Sequence, residues 1–163
     1  GSRIHYTIAS TGPELRHLQK SVTQLGLADQ VKFHGGFHGR AYEEVLGESH
    51  LFLMPSFREG SPRTILEAML AGAVPVVCAA SAQGEIVNEK VGFSVPIPSR
   101  RELVQGMADA LVRVDRDRRL LQALSKQAQM KIVRDYNSNR FFDRLSEIYR
   151  LAKTGHPPVA RVC

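Results

Sequence analysis

Residues 51–78 read LFLMPSFREGSPRTILEAMLAGAVPVVC, and this stretch decides the fold. Its first four residues are apolar and are followed by a proline, as in a buried strand of a parallel sheet that ends in a loop. Ser61 and Pro62 predict the N-cap and the first residue of a helix, and Gly72 predicts its end. The run Val74–Cys78 then predicts a second strand.

The start of the predicted helix favours the binding of an anion. Its first backbone N–H groups have no partner within the helix, and the helix dipole makes this end positive. A phosphate binds to such an end without any catalytic residue. Arg63 and Thr64 lie in this first turn.

Two glutamates accompany the predicted anion site. Glu67 lies one turn beyond Thr64 on the same stripe of the helix. The small side chains of Ala68 and Ala71 are expected to leave room beside it. A carboxylate at this position suits hydrogen bonds from hydroxyl groups such as those of a ribose. Glu59, in the preceding loop, would do the same for a second polyhydroxylated group.

The same spacing has a second interpretation that needs no ligand. Arg63 and Glu67 would form an exposed i, i+4 ion pair, and Glu59 would be a solvated loop residue. Spacing alone leaves both interpretations open.

Strands and helices are predicted to alternate along the chain. The predicted strands cover Arg3–Ser10, Val31–His34, Leu51–Met54, Val74–Cys78 and Val91–Val95. The predicted helices cover Pro13–Leu25, Ala41–Glu48, Pro62–Gly72, Arg101–Val114, Arg118–Val133 and Asn139–Lys153. This order implies a parallel sheet covered on both faces, with ligands beyond the carboxyl ends of its strands. Residues 79–85 are predicted to be one of the loops at that edge.

Residues 59–77, EGSPRTILEAMLAGAVPVV, resemble the signature of the retaining GT-B glycosyltransferases of group 1, or family 4. The signature consists of two glutamates separated by seven residues, a turn of small residues and Pro-Val-Val. Further ordered matches occur over most of the chain, at Thr11–Glu14, Leu25–Val31, Phe33–Gly36, Glu85–Val87, Val91–Val95 and Ile148–Tyr149.

The resemblance implies an α/β fold, a Rossmann-like doubly wound parallel sheet that forms the C-terminal half of a GT-B enzyme and lacks its first βα unit. Residues 3–154 would form the nucleotide-sugar-binding domain. Residues 1–2 are interpreted as a cloning scar and residues 155–163 as a loose C-terminal tail. The implied reaction is transfer of a sugar, hexosyl or related, from a nucleotide diphosphate donor to an acceptor with retention of anomeric configuration, a step of carbohydrate biosynthesis.

The resemblance also implies roles for the residues of the motif. Glu59, together with Gly60 and Ser61, would bind the donor sugar. Glu67 would bind the ribose hydroxyls. Glu59 is expected to position the sugar rather than to attack it, and no residue is assigned as catalytic.

The remaining parts of the donor would meet backbone groups. In the resembling family, amides near Arg63 and Thr64 hold the distal phosphate. The loop after the second strand meets the base, which assigns His34 and Gly36 to base binding.

No metal or cofactor is expected, because the nucleotide sugar is a substrate and GT-B enzymes generally need no metal for their chemistry. His34 and His38 are four residues apart, but the glycines between them prevent a helix that would aim both rings one way. Neither a cysteine nor a carboxylate completes a ligand set there.

Compared with a whole GT-B enzyme, the chain departs from the family pattern at its start. The N-terminal domain, which carries most of the acceptor site, is missing, and so is the βα unit whose Arg and Lys clamp the diphosphate. The fragment alone is therefore expected to be inactive. It is also expected to self-associate through the exposed region of its sheet; the alternative is that the strand order leaves the gap at a tolerable edge or that the C-terminal helices cover it. Two alternatives stay open: a nucleotide-sugar epimerase of the same fold, and a non-catalytic nucleotide-binding or protein-interaction domain.

Composition sets the remaining expectations. The formal net charge is +6 and the pI is about 9.7, but the cations lack the interleaved aromatic residues that stack on bases, so nucleic-acid binding is not expected. Contact with an anionic membrane surface is a secondary expectation. Cys78 and Cys163 do not suggest a disulfide framework. The predicted location is the cytoplasm, with peripheral contact at the inner face of a membrane.

Overall fold

The computed structural model describes residues 4–9, 11–36 and 39–154. The chain divides into two compact units, residues 1–45 and residues 46–163. The predicted cloning scar, the predicted tail, Arg3 and Ser10 lie outside the described residues, as does His38.

The first unit contains a βαβ arrangement. Strand β1 (Tyr6–Ala9) is followed by helix α1 (Leu15–Gln24) and strand β2 (Val31–His34), and helix α2 (Arg40–Glu48) begins in this unit. β1 and β2 are parallel, with Tyr6 opposite Val31. Gly26 has a φ of 66° just after α1, and this left-handed conformation lets the chain turn back towards β2.

The second unit contains a three-stranded parallel sheet and five helices within the described residues. Its elements are β3 (Leu51–Met54), α3 (Arg63–Ala71), β4 (Val74–Cys78), α4 (Ser81–Ile86), β5 (Phe93–Val95), α5 (Arg100–Arg116), α6 (Arg118–Asp135) and α7 (Ser138–Lys153). The strand order is β3-β4-β5. Every residue of β4 is buried, as expected for a central apolar strand.

Helices cover both faces of this sheet. Val77 of β4 belongs to a core cluster with Ile65 of α3 and Ile132 of α6. Val76, which points to the opposite face, packs in a cluster with Leu103 and other residues of α5. The predicted parallel sheet with two covered faces is therefore confirmed for this unit.

The residue before β5 lies very close to β4, and the fifth strand is shorter than predicted. In the parallel register Val76 lies opposite Phe93, so Pro75 faces Gly92. Pro75 has no N–H to donate, and its ring packs directly on Gly92, where a Cβ atom would overlap the Pro75 carbonyl oxygen. The strand predicted from Val91 begins at Phe93, because the N–H groups of Val91 and Gly92 both donate to the Asn88 carbonyl oxygen in the preceding turn.

Helix α4 replaces part of a predicted loop. Residues 79–85 are predicted to be irregular, whereas Ser81–Ile86 is helical. The six-residue helix contains Gly84, a weak helix former, and is too short to produce a periodic apolar pattern.

Within the described residues, the structure contains no helix with the combination of length and apolarity needed to cross a membrane.

Candidate functional site

The loop between β3 and α3 is anchored near its start by Gln83 of α4. The Gln83 side-chain amide donates a hydrogen bond from Nε2 to the carbonyl oxygen of Ser56. Gln83 is fully buried, and its Oε1 has no partner among the residues that the structure describes. This bond fixes the backbone three residues before Glu59.

Helix α3 begins with a turn of the backbone rather than with a side-chain cap. Pro62 has φ −79° and ψ 74°, the conformation of an inverse γ-turn. The Arg63 N–H donates to the Ser61 carbonyl oxygen at 2.9 Å. The prediction that Ser61 is the N-cap is therefore wrong, because Pro62 occupies that position and no side chain caps the helix.

The first turn of α3 leaves one backbone donor open. The Ile65 N–H donates to the Pro62 carbonyl oxygen at 3.1 Å. Among the described residues, no acceptor is present for the Thr64 N–H. The first turn also lacks an acidic side chain that would offset the positive end of the helix dipole. This end therefore combines an open donor with uncompensated positive potential.

Arg63 and Glu67 form the ion pair that the ligand-free interpretation predicts. Arg63 Nη2 lies 3.6 Å from Glu67 Oε1, and the two side chains are 82% and 39% exposed. Exposed pairs of this kind contribute about 0–1 kcal/mol. A cation before its carboxylate is the weaker order along a helix, and a cation at the N-terminus is disfavoured by the dipole. A ligand can therefore compete with this pair.

The loop residues before the helix surround open space. Glu59 is half-buried, while Gly60 and Ser61 are exposed. A Cβ atom built on Gly60 would meet no atom within 4 Å. A bound group can therefore approach the backbone at this position.

The other side of α3 is more tightly packed than predicted. Ala68 is fully buried, whereas Ala71 is exposed. The prediction that Ala68 leaves room beside Glu67 is wrong, because Ala68 lies against the protein interior. Space near Glu67 is thus limited to its solvent side.

His34 and Gly36 lie in the first unit, at and just after the end of β2. His34 Nδ1 is 3.3 Å from the Gly35 carbonyl oxygen, and Gly36 is exposed. Their role in base binding stays a prediction. In the part of the chain that is described, no three His, Cys, Asp or Glu side chains are grouped so that they would hold a metal ion.

Gln83 is the residue of this region that sequence reasoning missed. It lies in the predicted loop 79–85, and glutamine in a loop is usually exposed. The available signal was the small size of its neighbours, Ala79, Ala80, Ala82 and Gly84, which leaves room for a long side chain to fold inwards.

Comparisons with known sequences agree on one family. The model of the family described as glycosyl transferases group 1 matches residues 1–130. A curated protein of Escherichia coli, UDP-Gal:alpha-D-GlcNAc-diphosphoundecaprenol alpha-1,3-galactosyltransferase, is 32% identical over 106 residues. The matched region covers 64% of this chain and 26% of that protein.

Solved structures show the same fold. HepE of Anabaena, in complex with UDP, has a TM-score of 0.75 and 21% identity over 90% of this chain and 41% of its own. The C-terminal domain of LpcC, a glycosyl transferase group 1 family protein from Francisella tularensis, has a TM-score of 0.70 and 23% identity over 83% of this chain and 70% of its own. The predicted Rossmann-like C-terminal half of a GT-B fold is confirmed.

Proposed function

Because the chain belongs to the group 1 glycosyltransferase family, we propose that it is the half of a retaining enzyme that binds the nucleotide diphosphate sugar. The observation that carries this proposal is the start of α3, where an open helix end lies between Glu59 and Glu67. The chain spans 26% of its curated relative and 41% of HepE. In the proposed whole enzyme, an N-terminal GT-B domain would bind the acceptor.

The diphosphate would bind at the first turn of α3. The Thr64 N–H and the positive end of the helix favour a phosphate oxygen, and the Arg63 guanidinium adds a mobile cation. The Arg63 N–H already has an acceptor, so this residue would act through its side chain. During transfer, negative charge grows on the departing diphosphate, and the same groups would stabilise it.

The two glutamates would hold the sugars on either side of the diphosphate. Glu67 would exchange its weak contact with Arg63 for hydrogen bonds from the ribose hydroxyls. Glu59 would accept hydrogen bonds from the donor sugar, beside the open space at Gly60 and Ser61. His34 and Gly36 would meet the base.

The names of the relatives favour a uridine nucleotide. UDP-Gal stands in the name of the E. coli relative, and HepE was crystallised with UDP. The same relative acts on a sugar linked through diphosphate to a polyprenol. We extend the uridine nucleotide and the polyprenol-linked acceptor to this chain as part of the proposal. The proposal also includes a cytoplasmic location and peripheral contact with the inner face of a membrane.

Replacing either glutamate tests their separate roles. Glu67→Gln is expected to weaken UDP binding about tenfold, because a hydrogen bond to a charged group is worth about 1.5 kcal/mol. Glu59→Gln is expected to leave UDP affinity unchanged and to weaken only the binding of UDP-sugars. Calorimetric titration with UDP and UDP-galactose measures both effects, with the exposed Glu89→Gln as the control. Equal losses of UDP affinity in the two variants would contradict the division of roles.

NMR titration with UDP tests the proposed phosphate site at the start of α3. The Thr64 amide is expected to show the largest shift, because its N–H gains an acceptor on binding. The neighbouring Arg63 amide, which already donates to Ser61, is expected to shift less. If no amide between Gly60 and Glu67 moves at millimolar UDP, the proposed donor site is wrong.

A further inference from the structure

Helix α4 contains two residues whose arrangement costs free energy. Ser81 has a φ of 49°, and among the described residues it is the one residue other than glycine with a positive φ. A side chain makes this left-handed conformation unfavourable. Gln83 is fully buried, and its Oε1 has no hydrogen-bond partner within the described part of the chain. Because strained and incompletely bonded residues concentrate at functional sites, the two together indicate a role for α4 beyond packing.

The C-terminal end of α4 is fixed to the core of the second unit. Ile86, and Val87 directly after it, belong to the same core cluster as Met69 of α3 and Val77 of β4. The Val87 N–H also donates to the Gln83 carbonyl oxygen at 3.0 Å. The short helix is therefore firmly attached to the core, and it is able to support a neighbouring loop.

Gln83 connects this support to the loop that carries Glu59. Its Nε2 donates to the Ser56 carbonyl oxygen, three residues before Glu59. Ser81 is the first residue of α4, so its left-handed conformation sets the direction in which the helix, and with it Gln83, leaves the end of β4. A carboxylate on a loop binds a ligand precisely only where supporting contacts hold the loop.

We propose that Ser81 and Gln83 are positioning residues for Glu59 and thereby set the affinity for the sugar part of the donor. The proposal rests on the proposed function, which assigns the donor sugar to Glu59. It adds two residues that act through Glu59 and not through a contact of their own with the ligand. The nucleotide part of the donor would depend less on α4, because Thr64 and Glu67 lie in α3.

NMR relaxation of the ligand-free chain tests the support of the loop. Gln83→Met is expected to lower the backbone order parameters of residues 57–60 from about 0.8 to below about 0.6, and to leave those of residues 64–67 unchanged. Gln129→Met is the matched control. It removes a similar hydrogen bond, from Gln129 Nε2 to the Leu70 carbonyl oxygen, at the opposite end of α3. This control is expected to leave residues 57–60 unchanged.

Two substitutions of Ser81 provide a second test that leaves Gln83 in place. Ser81→Gly and Ser81→Val both remove the hydroxyl group, but glycine adopts a positive φ at little cost and a β-branched residue does not. Ser81→Val is therefore expected to lower the order parameters of residues 57–60 as Gln83→Met does, whereas Ser81→Gly is expected to preserve them. This pair keeps the proposal testable if Gln83→Met does not fold.

Calorimetric titration with UDP and UDP-galactose tests the consequence for ligand binding. Gln83→Met and Ser81→Val are expected to bind UDP-galactose about fivefold more weakly than the unaltered chain, and to change UDP affinity by less than about twofold. Ser81→Gly and Gln129→Met are expected to retain both affinities. A general loss of stability would not separate the two ligands in this way.

Three results would overturn the assignment. Residues 57–60 would have order parameters below about 0.6 in the unaltered chain, or they would be unchanged in both Gln83→Met and Ser81→Val. The third is an equal loss of affinity for UDP and UDP-galactose in these variants. Failure of the unaltered chain to bind UDP would contradict the proposed function instead, and the order parameters would still decide whether α4 supports the Glu59 loop.

Discussion

Gly92→Ala is expected to destabilise the protein by about 3 kcal/mol, the upper end of the usual cost of overpacking a core. The new methyl group would overlap the Pro75 carbonyl oxygen, which belongs to the backbone of the buried central strand β4. A flexible side chain could turn away, but this backbone cannot move without displacing β4 from its neighbours. Chemical denaturation measures the change in the free energy of unfolding.

Gly47→Ala serves as the control for this substitution. Gly47 lies in α2, and a Cβ atom there would meet nothing within 4 Å. Alanine in a helix is expected to be neutral or to stabilise the protein by about 0.5–1 kcal/mol. Equal unfolding free energies for Gly92→Ala and the unaltered protein would show that β4 and the start of β5 are not as closely packed as described.

Gln83→Glu is expected to destabilise the protein by about 3–5 kcal/mol at neutral pH, the range for an uncompensated buried charge. The substitution replaces the Nε2 donor with a carboxylate oxygen that faces the Ser56 carbonyl oxygen in a fully buried position. Burial would raise the pKa of the introduced carboxyl above its ordinary value in the unfolded chain. The penalty is therefore complete above the folded-state pKa, and it falls as the pH drops through that value towards the unfolded one.

Gln83→Met separates the charge from the lost hydrogen bond. It preserves the approximate shape of the side chain but leaves the Ser56 carbonyl oxygen without its donor, at a cost of about 1–3 kcal/mol that does not depend on pH. Unfolding free energies at pH 5 and pH 7 compare the two variants. If their values agree at both pH values, position 83 is accessible to water and the anchoring of the Glu59 loop by Gln83 is not supported.

The hydrogen bond from Gln83 to Ser56 has a consequence for the proposed donor site. Glu59 lies in a loop, where a side chain gains precision only if the backbone is held. Gln83 supplies that restraint from α4 through a hydrogen bond to Ser56, across 27 residues of sequence. Substitutions at Gln83 are therefore expected to disturb Glu59, and with it the proposed contact to a donor sugar, more than Glu67, which lies in α3.

The segment β3-α3-β4 could be predicted from short-range sequence patterns. The apolar runs of β3 and β4 and the helical spacing between them predict three elements in order, and the structure confirms all three. Gly72 ends α3 with a φ of 96°, which favours glycine over any residue with a side chain. The types of residue at the candidate site, two glutamates around a helix start, are likewise visible in the sequence.

The details of that site were less accessible. Serine is a favoured residue at the N-cap position, and this predicted Ser61 as the cap. In the structure, the ψ angle of Pro62 instead directs the Ser61 carbonyl oxygen to the Arg63 N–H. Ala68 shares a helical stripe with Glu67 on an ideal wheel, but it is buried because the interior covers more of α3 than the apolar positions indicate. Neither the backbone angles of Pro62 nor the burial of Ala68 follows from the pattern of residue types along a nine-residue helix.

The sequence by itself determined the order of the elements, the two-faced burial of β4 and the positions of the motif glutamates, because periodicity and turn residues act over a few positions along the chain. Only the tertiary structure decided that the Thr64 N–H is the open donor, that Gln83 holds Ser56, and that Gly92 must be small enough to face Pro75. The last two contacts join residues far apart in sequence, and the first depends on one backbone angle. Patterns of residue types over a few positions predict neither the long-range contacts nor that backbone angle.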